Sequence, residues 1–468
     1  MSAEAEGNGA AGRAVVIGGG SNGTWMSVYL AELPAIREIV LIDRDGQFGR
    51  GVAYSATADW HRLNVPADKM GGRSEDDPSG FASWLAQTGH HIGPDYSDGF
   101  VPRRLYGDYL CAQLDAVHAT GRLTLLRDAA LAVERQSGNH VVRTASGRAI
   151  EAATVVLCLG NPPPAQIRGL MPAPRLIADI WRPGALDSIG PDDDVIVVGT
   201  GATAVDAVLD LVHRGKARRI RLVSRQGRLP LVDVPASDCD PVDDVPLDTA
   251  RGMLAGLRAA VARRAGQGIP WQAVVDSFRV RAAEIWQGLS DVEKGRFLRH
   301  LRSLWFVHRH RLAPDVADFL ERLRAEGRIE VMTGRVRAGE QVSEAYALLV
   351  QRNGASGIAL ETLDADWVLN CTGPDENLAR NRAGLVGDLL ETGLARPGPF
   401  GLGLDCDLRH RLADASGQPQ AGLYLVGPPT RGRFWEVTPA PNGRNQCTVV
   451  AKEIAATLGS FAASAPST

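Results

Sequence analysis

Two glycine clusters in this 468-residue chain have the spacing of phosphate cradles. In the first, Gly18, Gly19 and Gly20 lead through Ser21 and Asn22 to Gly23. In the second, Gly199 and Gly201 lead through Ala202 and Thr203 to Ala204. The first glycine of such a cluster allows a tight turn, and the next lets backbone approach a pyrophosphate. The small residue at the end lets a helix pack on a strand. The helix that follows presents free N–H groups and a dipole that both favour an anion. The residue that selects the nucleotide stands 23 positions beyond Gly20 and beyond Gly201: Asp43 in one case, Ser224 in the other. A carboxylate accepts from ribose hydroxyls, whereas it would repel a 2′-phosphate. A hydroxyl followed by Arg225, with Arg228 nearby, would bind that phosphate. Arg44 also follows Asp43, so the change from acid to hydroxyl carries more weight than the arginine. The expectation is FAD on the first cluster and NADPH rather than NADH on the second.

The elements around these clusters supply the required context. A β-branched run at 13–17 precedes the first cluster, a helix is predicted over 22–33, and a buried strand at 38–43 ends in Asp43. The second cluster follows a strand at 194–198 and opens a helix over 202–214, with a strand at 219–224 ending in Ser224. The repetition extends further. GRLTLL at 121–126 resembles GRIEVM at 327–332, each followed by an alternating strand meander. ATVVLCLG, ending in Gly160, resembles DWVLNCTG, ending in Gly373. A last strand, GLYLVG at 422–427, reaches Gly427 and Pro428, and a helix is predicted over 445–458.

The predicted fold class is α/β, with two Rossmann-like dinucleotide-binding domains of the three-layer ββα type. The FAD domain would be discontinuous, at 13–165 and 374–468, and the NADPH domain would occupy 166–234 and 327–373. Residues 235–326 break the symmetry as a helical insertion, with helices predicted over 247–264, 271–288, 291–308 and 314–326. The insertion reads either as a substrate-pocket wall or as a passive cover or homodimer surface.

Composition bounds the rest. Apolar residues at 44% and charged residues at 22% are an ordinary globular mix. A net charge of −3 gives no support for nucleic-acid binding. Only Lys69, Lys216, Lys294 and Lys452 are lysines among 51 basic residues, so functional arginines must be found by position. The first twelve residues form a short polar, Ala/Gly-rich tail rather than a signal peptide, and no run approaches the length of a membrane span. Six scattered cysteines (111, 158, 239, 371, 406, 447) contain no C-x-x-C. That pattern argues against a disulfide framework, a zinc ribbon and a dithiol reductase. No metal site and no membrane partner are expected, and the default location is the cytoplasm. The densest basic run, Arg299, His300, Arg302, His308, Arg309, His310 and Arg311, reads as a solvated helix face or as ligands for an anionic substrate or the NADPH phosphates.

Taken together, the two clusters and their Gly-closing strands resemble the two-dinucleotide-binding flavoproteins. More specific are GRGVAYS at 49–55, HRLNVPADKM at 61–70, DDPSGF at 76–81 and PRRLYGDYL at 102–110. These resemble the FAD/NAD(P)-binding family that includes bacterial FAD-dependent urate hydroxylases, over almost the whole chain. A more distant resemblance is to N-hydroxylating flavin monooxygenases. The resemblance implies reduction of FAD by NADPH, a flavin hydroperoxide, and hydroxylation by O2 of a small polar, nitrogen-rich, urate-like molecule. It places Asn64 beside the isoalloxazine as a catalytic amide, against the plain reading of a capped loop. It points the helix N-terminus around Arg444, Asn445 and Gln446 at the flavin. Arg103 reads as an FAD contact or a surface arginine, and Phe434 and catalytic Trp435 as pocket wall or core packing. Two departures stand out. Pro428 follows Gly427 where many relatives carry an Asp, and no Baeyer–Villiger fingerprint is present. The rival functions are a flavoprotein reductase that passes electrons on without oxygen insertion, and a cofactor-holding sensor or scaffold.

Overall fold

The computed structural model describes residues 10–74, 76–90, 99–234, 239–354, 357–380 and 383–463. The first nine residues of the polar tail and the start of the insertion, 235–238, lie outside the described residues.

Strongly β-branched runs flanked by glycine turns form the central strands, because a strand covered on both faces must be apolar throughout. β1 (Arg13–Ile17), β2 (Glu38–Asp43), β3 (Leu123–Arg127) and β7 (Thr154–Leu157) pair in parallel in the order β7-β1-β2-β3. Between β3 and β7 the chain makes an antiparallel meander of β4 (Ala130–Gln136), β5 (Asn139–Thr144) and β6 (Ala149–Ala152). The second module repeats this arrangement. After the short β8 (Leu176–Ile177), β9 (Asp194–Val198), β10 (Arg219–Ser224), β11 (Ile329–Thr333) and β15 (Trp367–Asn370) form a parallel sheet in the order β11-β10-β9-β15-β8. Its meander is β12 (Arg335–Val342), β13 (Ala345–Gly354) and β14 (Gly357–Ala365). The first two strands of each meander slip register at the same place, between Ala130 and Ala132 and between Val336 and Ala338. β16 (Arg411–Ala413) and β17 (Pro419–Leu425) return to the first sheet, with β17 parallel to β7.

Each module therefore has three layers: helices, a parallel sheet and a meander. In the first, the helix Ser21–Glu32 is buried over eight consecutive residues, from Gly23 to Leu30. Its apolar neighbours come from the helix Arg103–His118 and the C-terminal helix Ala440–Ala463. In the second, the helix Ala202–His213 packs on β9 and β10 through Ala204, Val205, Val208 and Leu211.

Two expectations about the insertion change. The helices predicted over 271–288 and 291–308 are each broken in two, as Trp271–Arg279 with Ala282–Gly288 and as Asp291–His300 with Arg302–Arg309. The backbone leaves the helical region at Arg281 (ψ 6°) and opens out at Leu301 (φ −110°), which lets the halves wrap around a common centre. The helix Pro314–Ala325, predicted as part of the insertion, packs Val316, Leu320 and Leu323 into the core of the second module.

Gly18 and Gly199 occupy the same place in the two modules, with φ of 109° and 127° that side-chain-bearing residues rarely adopt. Gly23 and Gly201 differ in a way that can be tested. A Cβ on Gly23 would overlap the carbonyl oxygen of Gly18, whereas one on Gly201 would meet nothing within 4 Å. Gly23→Ala is expected to destabilise the protein by about 2 kcal/mol, read as a lowered Tm, because the helix must shift off the strand. Gly201→Ala is expected to leave the Tm of the nucleotide-free protein within a degree or two, by the small effect of a substitution at an open site.

Candidate functional site

The first cradle is tied together by Asp43. Its carboxylate accepts from the Gly19 N–H at 2.9 Å and from the N–H groups of Asp45 and Gln47 at 3.0 and 3.1 Å. Arg44 is exposed and pairs with Asp45. The C-terminal helix closes over the cradle. The Asn22 amide fills the space that a Cβ on Gly427 or Gly443 would need, and the Cys447 thiol donates to the Asn22 carbonyl. Gln446 accepts from the Gly427 N–H at 2.7 Å and donates to Thr430 at 3.1 Å. Pro428 opens a short 3-10 turn, Pro428–Thr430. The helix starts at Ala440, so Arg444 and Gln446 lie one turn inside it rather than at its tip.

Arg444 is buried and donates to the carbonyls of Met70 and Gly72. It thus holds the 61–72 segment against the C-terminal helix. Asn64 lies on that segment and is exposed; its neighbours Leu63 and Ala67 are pinned by backbone bonds to Val101 and Gly99. Gly160 and Gly373 each lie three residues beyond equivalent strands, β7 and β15, with φ of 68° and 88° and nothing within 4 Å of where a Cβ would stand.

The second cradle is open where a pyrophosphate would approach, since Gly201 and Ala202 are exposed and Thr203 is half-buried at the head of its helix. Ser224 bonds to the Thr200 hydroxyl at 2.9 Å and accepts from the Gly227 N–H at 3.0 Å. Arg225 and Arg228 are exposed and make no ion pair among the described residues. The free cations beside Ser224 are therefore the two arginines, and the hydroxyl mainly shapes the turn that carries them. Both cradles fit a dinucleotide: one has an acid at the strand end, the other unpaired guanidinium groups.

Arg103 is engaged at the junction of the two modules. Its guanidinium pairs with Asp206 on the helix of the second module, at 3.1 Å. His61 joins the same cluster, with Nδ1 3.3 Å from Asp206 and Nε2 3.0 Å from Asp210. Trp60 donates to Asp210 at 2.9 Å and stacks on His213. Burial alone would push the His61 pKa down, but hydrogen bonds to Asp206 and Asp210, and their charges, raise it to about 9. His61 is thus an imidazolium at neutral pH, and the junction between the modules is an ion cluster. Asp206, over a hundred residues away, holds the Arg103 side chain at the junction of the modules.

The basic run resolves into structural pairs. Arg299 and His300 are solvated. Arg302 and Arg431 both pair with Glu376, Arg309 pairs with Glu436 at 3.3 Å, and Arg311 pairs with Asp233 and Asp276. Burial pushes the His310 pKa down to about 4. Trp435 stands among these groups. It stacks on Trp286 at 4.9 Å, and its backbone has φ 61° and ψ −68°, a strained conformation for a bulky residue. Phe434 instead stacks on His410. The insertion is bolted to this corner by two indole N–H groups: Trp286 donates to the Gly432 carbonyl at 3.0 Å and Trp305 to Glu436 at 2.6 Å. Sequence reading missed Glu376, Glu436, Asp206 and Asp210, and no local pattern marks them.

Residues 15–162 match the FAD-NAD(P)-binding family. That match lies within the first module. No curated sequence matches the chain. Among solved structures, the chain is similar to an ornithine N-hydroxylase of Kutzneria sp. 744 in complex with reduced FAD, NADP+ and L-ornithine. The identity is 17%, covering 95% of this chain and 99% of that one, with a TM-score of 0.67. It is also similar to L-lysine 6-monooxygenase from Pseudomonas syringae (19% identity, 95% and 98% covered, TM-score 0.63). A third is the bacillithiol disulfide reductase of Staphylococcus aureus (12% identity, 95% and 98% covered, TM-score 0.56). At these identities the likeness is one of fold, and it spans both modules and the insertion. Among the described residues no helix is long and apolar enough to cross a membrane.

Two outcomes test the site. Arg225→Ala is expected to raise the KM for NADPH about tenfold while leaving that for NADH within about twofold, by loss of a charge-assisted phosphate contact. Equal effects on the two nucleotides would remove the 2′-phosphate role. For His61, the folded pKa of about 9 lies above the ordinary 6.5. Its contribution to stability is therefore full below pH 6.5 and lost as pH climbs through about 9. The Tm difference between the wild type and His61→Gln should shrink across that window; a constant difference would show that His61 does not change charge on folding.

Proposed function

We propose that this protein is an NADPH-dependent FAD monooxygenase acting on a small organic substrate. The observation that carries this reading is the pair of unlike cradles in one chain: Asp43 at the first, and, beside Ser224 at the second, exposed Arg225 and Arg228 without ion pairs among the described residues. Bound flavin would supply electron transfer from the nicotinamide and activation of dioxygen. Overall, substrate R–H, O2, NADPH and a proton give R–OH, water and NADP+. The chain's own part is to hold, orient and exclude water. Gly18–Gly23 and Asp43 would hold FAD, with Asn22, Gln446 and Gly427 locking the last strand and helix over it. Arg225 and Arg228 would hold the NADPH 2′-phosphate. The Arg103–Asp206–His61 cluster sets how the second cradle faces the first. The likeness in fold to amine N-hydroxylases agrees with this reading.

The second reading, an NAD(P)H-dependent reductase, is favoured by the likeness in fold to a disulfide reductase. Its requirement for a reactive thiol is poorly met. The six cysteines are unpaired, and burial pushes the thiols of Cys158, Cys371, Cys406 and Cys447 well up, away from the thiolate. A sensor or scaffold would not need the open second cradle.

The test is reduction followed by oxygen. The purified yellow protein should be bleached by NADPH without air, then regain its colour in air, with oxygenated product when substrate is present. Failure of NADPH to bleach it would sink both redox readings. Bleaching with electron delivery to a disulfide or dye, and no oxygenated product across an amine, purine and carboxylic-acid panel, would establish the reductase.

A further inference from the structure

A cavity of about 360 Å³ lies inside the insertion, within the range that holds a drug-sized molecule. Its walls include Leu257, Val261, Phe278, Trp286 and Leu304 from the insertion and Trp435 from the first module. The helix Arg302–Arg309 shows how the fold preserves this space. Its one buried residue is Arg309, spent on Glu436, while Leu304, Trp305 and His308 line the cavity half-buried. An apolar chamber of this kind gains little from water, so an apolar ligand that entered it would be favoured by removing the half-buried side chains from solvent.

Polar groups at the cavity are few. The Trp435 indole N–H is buried, with the residue 5% exposed, and has no hydrogen-bond partner. His308 has its Nδ1 engaged by the Leu304 carbonyl at 2.8 Å. Arg258 lines the cavity yet is exposed, which places it at the mouth, and it makes no ion pair among the described residues. An unpaired cation at the rim of an apolar chamber is complementary to an amphiphile with one negative charge. Urate, with polar atoms around its whole edge, would leave them unpaired here.

We propose that this cavity is the substrate pocket and takes an apolar carboxylic acid, with its alkyl or aryl body inside and its carboxylate at Arg258. The proposal replaces the polar, nitrogen-rich substrate expected from sequence. Trp435, in the wall of the chamber, belongs to the closing segment that begins at Gly427, eight residues earlier. Binding at this site is independent of the monooxygenase reading; only the role as substrate rests on it.

The test uses the flavin-loaded protein as isolated, titrated with decanoate, decanol and urate by tryptophan fluorescence and calorimetry. Decanoate should bind saturably with a negative heat-capacity change, and urate should not bind there. Leu304→Trp, which places a larger ring inside the chamber, should weaken decanoate binding by more than about tenfold. The surface variant Arg258→Ala should weaken decanoate about threefold and leave decanol unchanged, as loss of an exposed ion pair would. Decanoate should also accelerate NADPH oxidation. No saturable binding, or binding indifferent to Leu304→Trp, overturns the pocket. Equal response of decanoate and decanol to Arg258→Ala overturns the acid. Binding to a protein whose flavin NADPH reduces, with no acceleration, overturns the substrate role. A flavin that NADPH never reduces defeats the monooxygenase reading and leaves the binding result standing by itself.

Discussion

The relation between the two glycine cradles depends on a small buried ion cluster. His61 and Arg103, from the first module, meet Asp206 and Asp210 on the helix that begins the second cradle. Charges taken out of water are stable only when paired and hydrogen-bonded, and breaking such a pair costs about 3–5 kcal/mol. The cluster therefore fixes one orientation of the modules more sharply than apolar contact alone would. The same helix carries Gly201 to Thr203 at its head. Whatever sits on that cradle is positioned relative to the first module through Asp206.

A second set of buried charges fixes the insertion. Glu436 takes Arg309 and the Trp305 indole, and Glu376 takes Arg302 and Arg431. These pairs hold Trp435 in its strained backbone conformation and close the chamber against the first module. Polar groups do the anchoring, so the apolar side chains of the insertion remain free to surround a space rather than fill it. The chamber and its anchor are two results of one arrangement: the two arginines of the Arg302–Arg309 helix pair with Glu376 and Glu436, while Leu304 and Trp305 line the void.

Much of the fold was legible in the sequence. Both parallel sheets, their meanders and the return of the last strand follow from runs such as 153–160 and 366–373, whose pattern repeats in spacing and in apolar character. The breaks at Arg281 and Leu301 were not legible, because apolar residues continue at helical spacing through both. The glycines at the tight turns, Gly18 and Gly199, could be named, whereas the partner of Arg103, Asp206, was unmarked.

The sequence by itself determined what is set by local backbone needs: where glycine is required for a tight turn, where a strand must be apolar on both faces, and which strand end carries an acid or a hydroxyl. Tertiary structure alone decided which charges meet. Glu376 and Arg302 are 74 positions apart, and His61 and Asp206 are 145 apart. No short-range pattern encodes such pairs, because burial of one charge is stable only through a partner brought by the rest of the fold. The chamber belongs to the same class. A void is a property of how helices fail to touch, and apolar periodicity reads the same whether a helix faces a packed core or an open pocket.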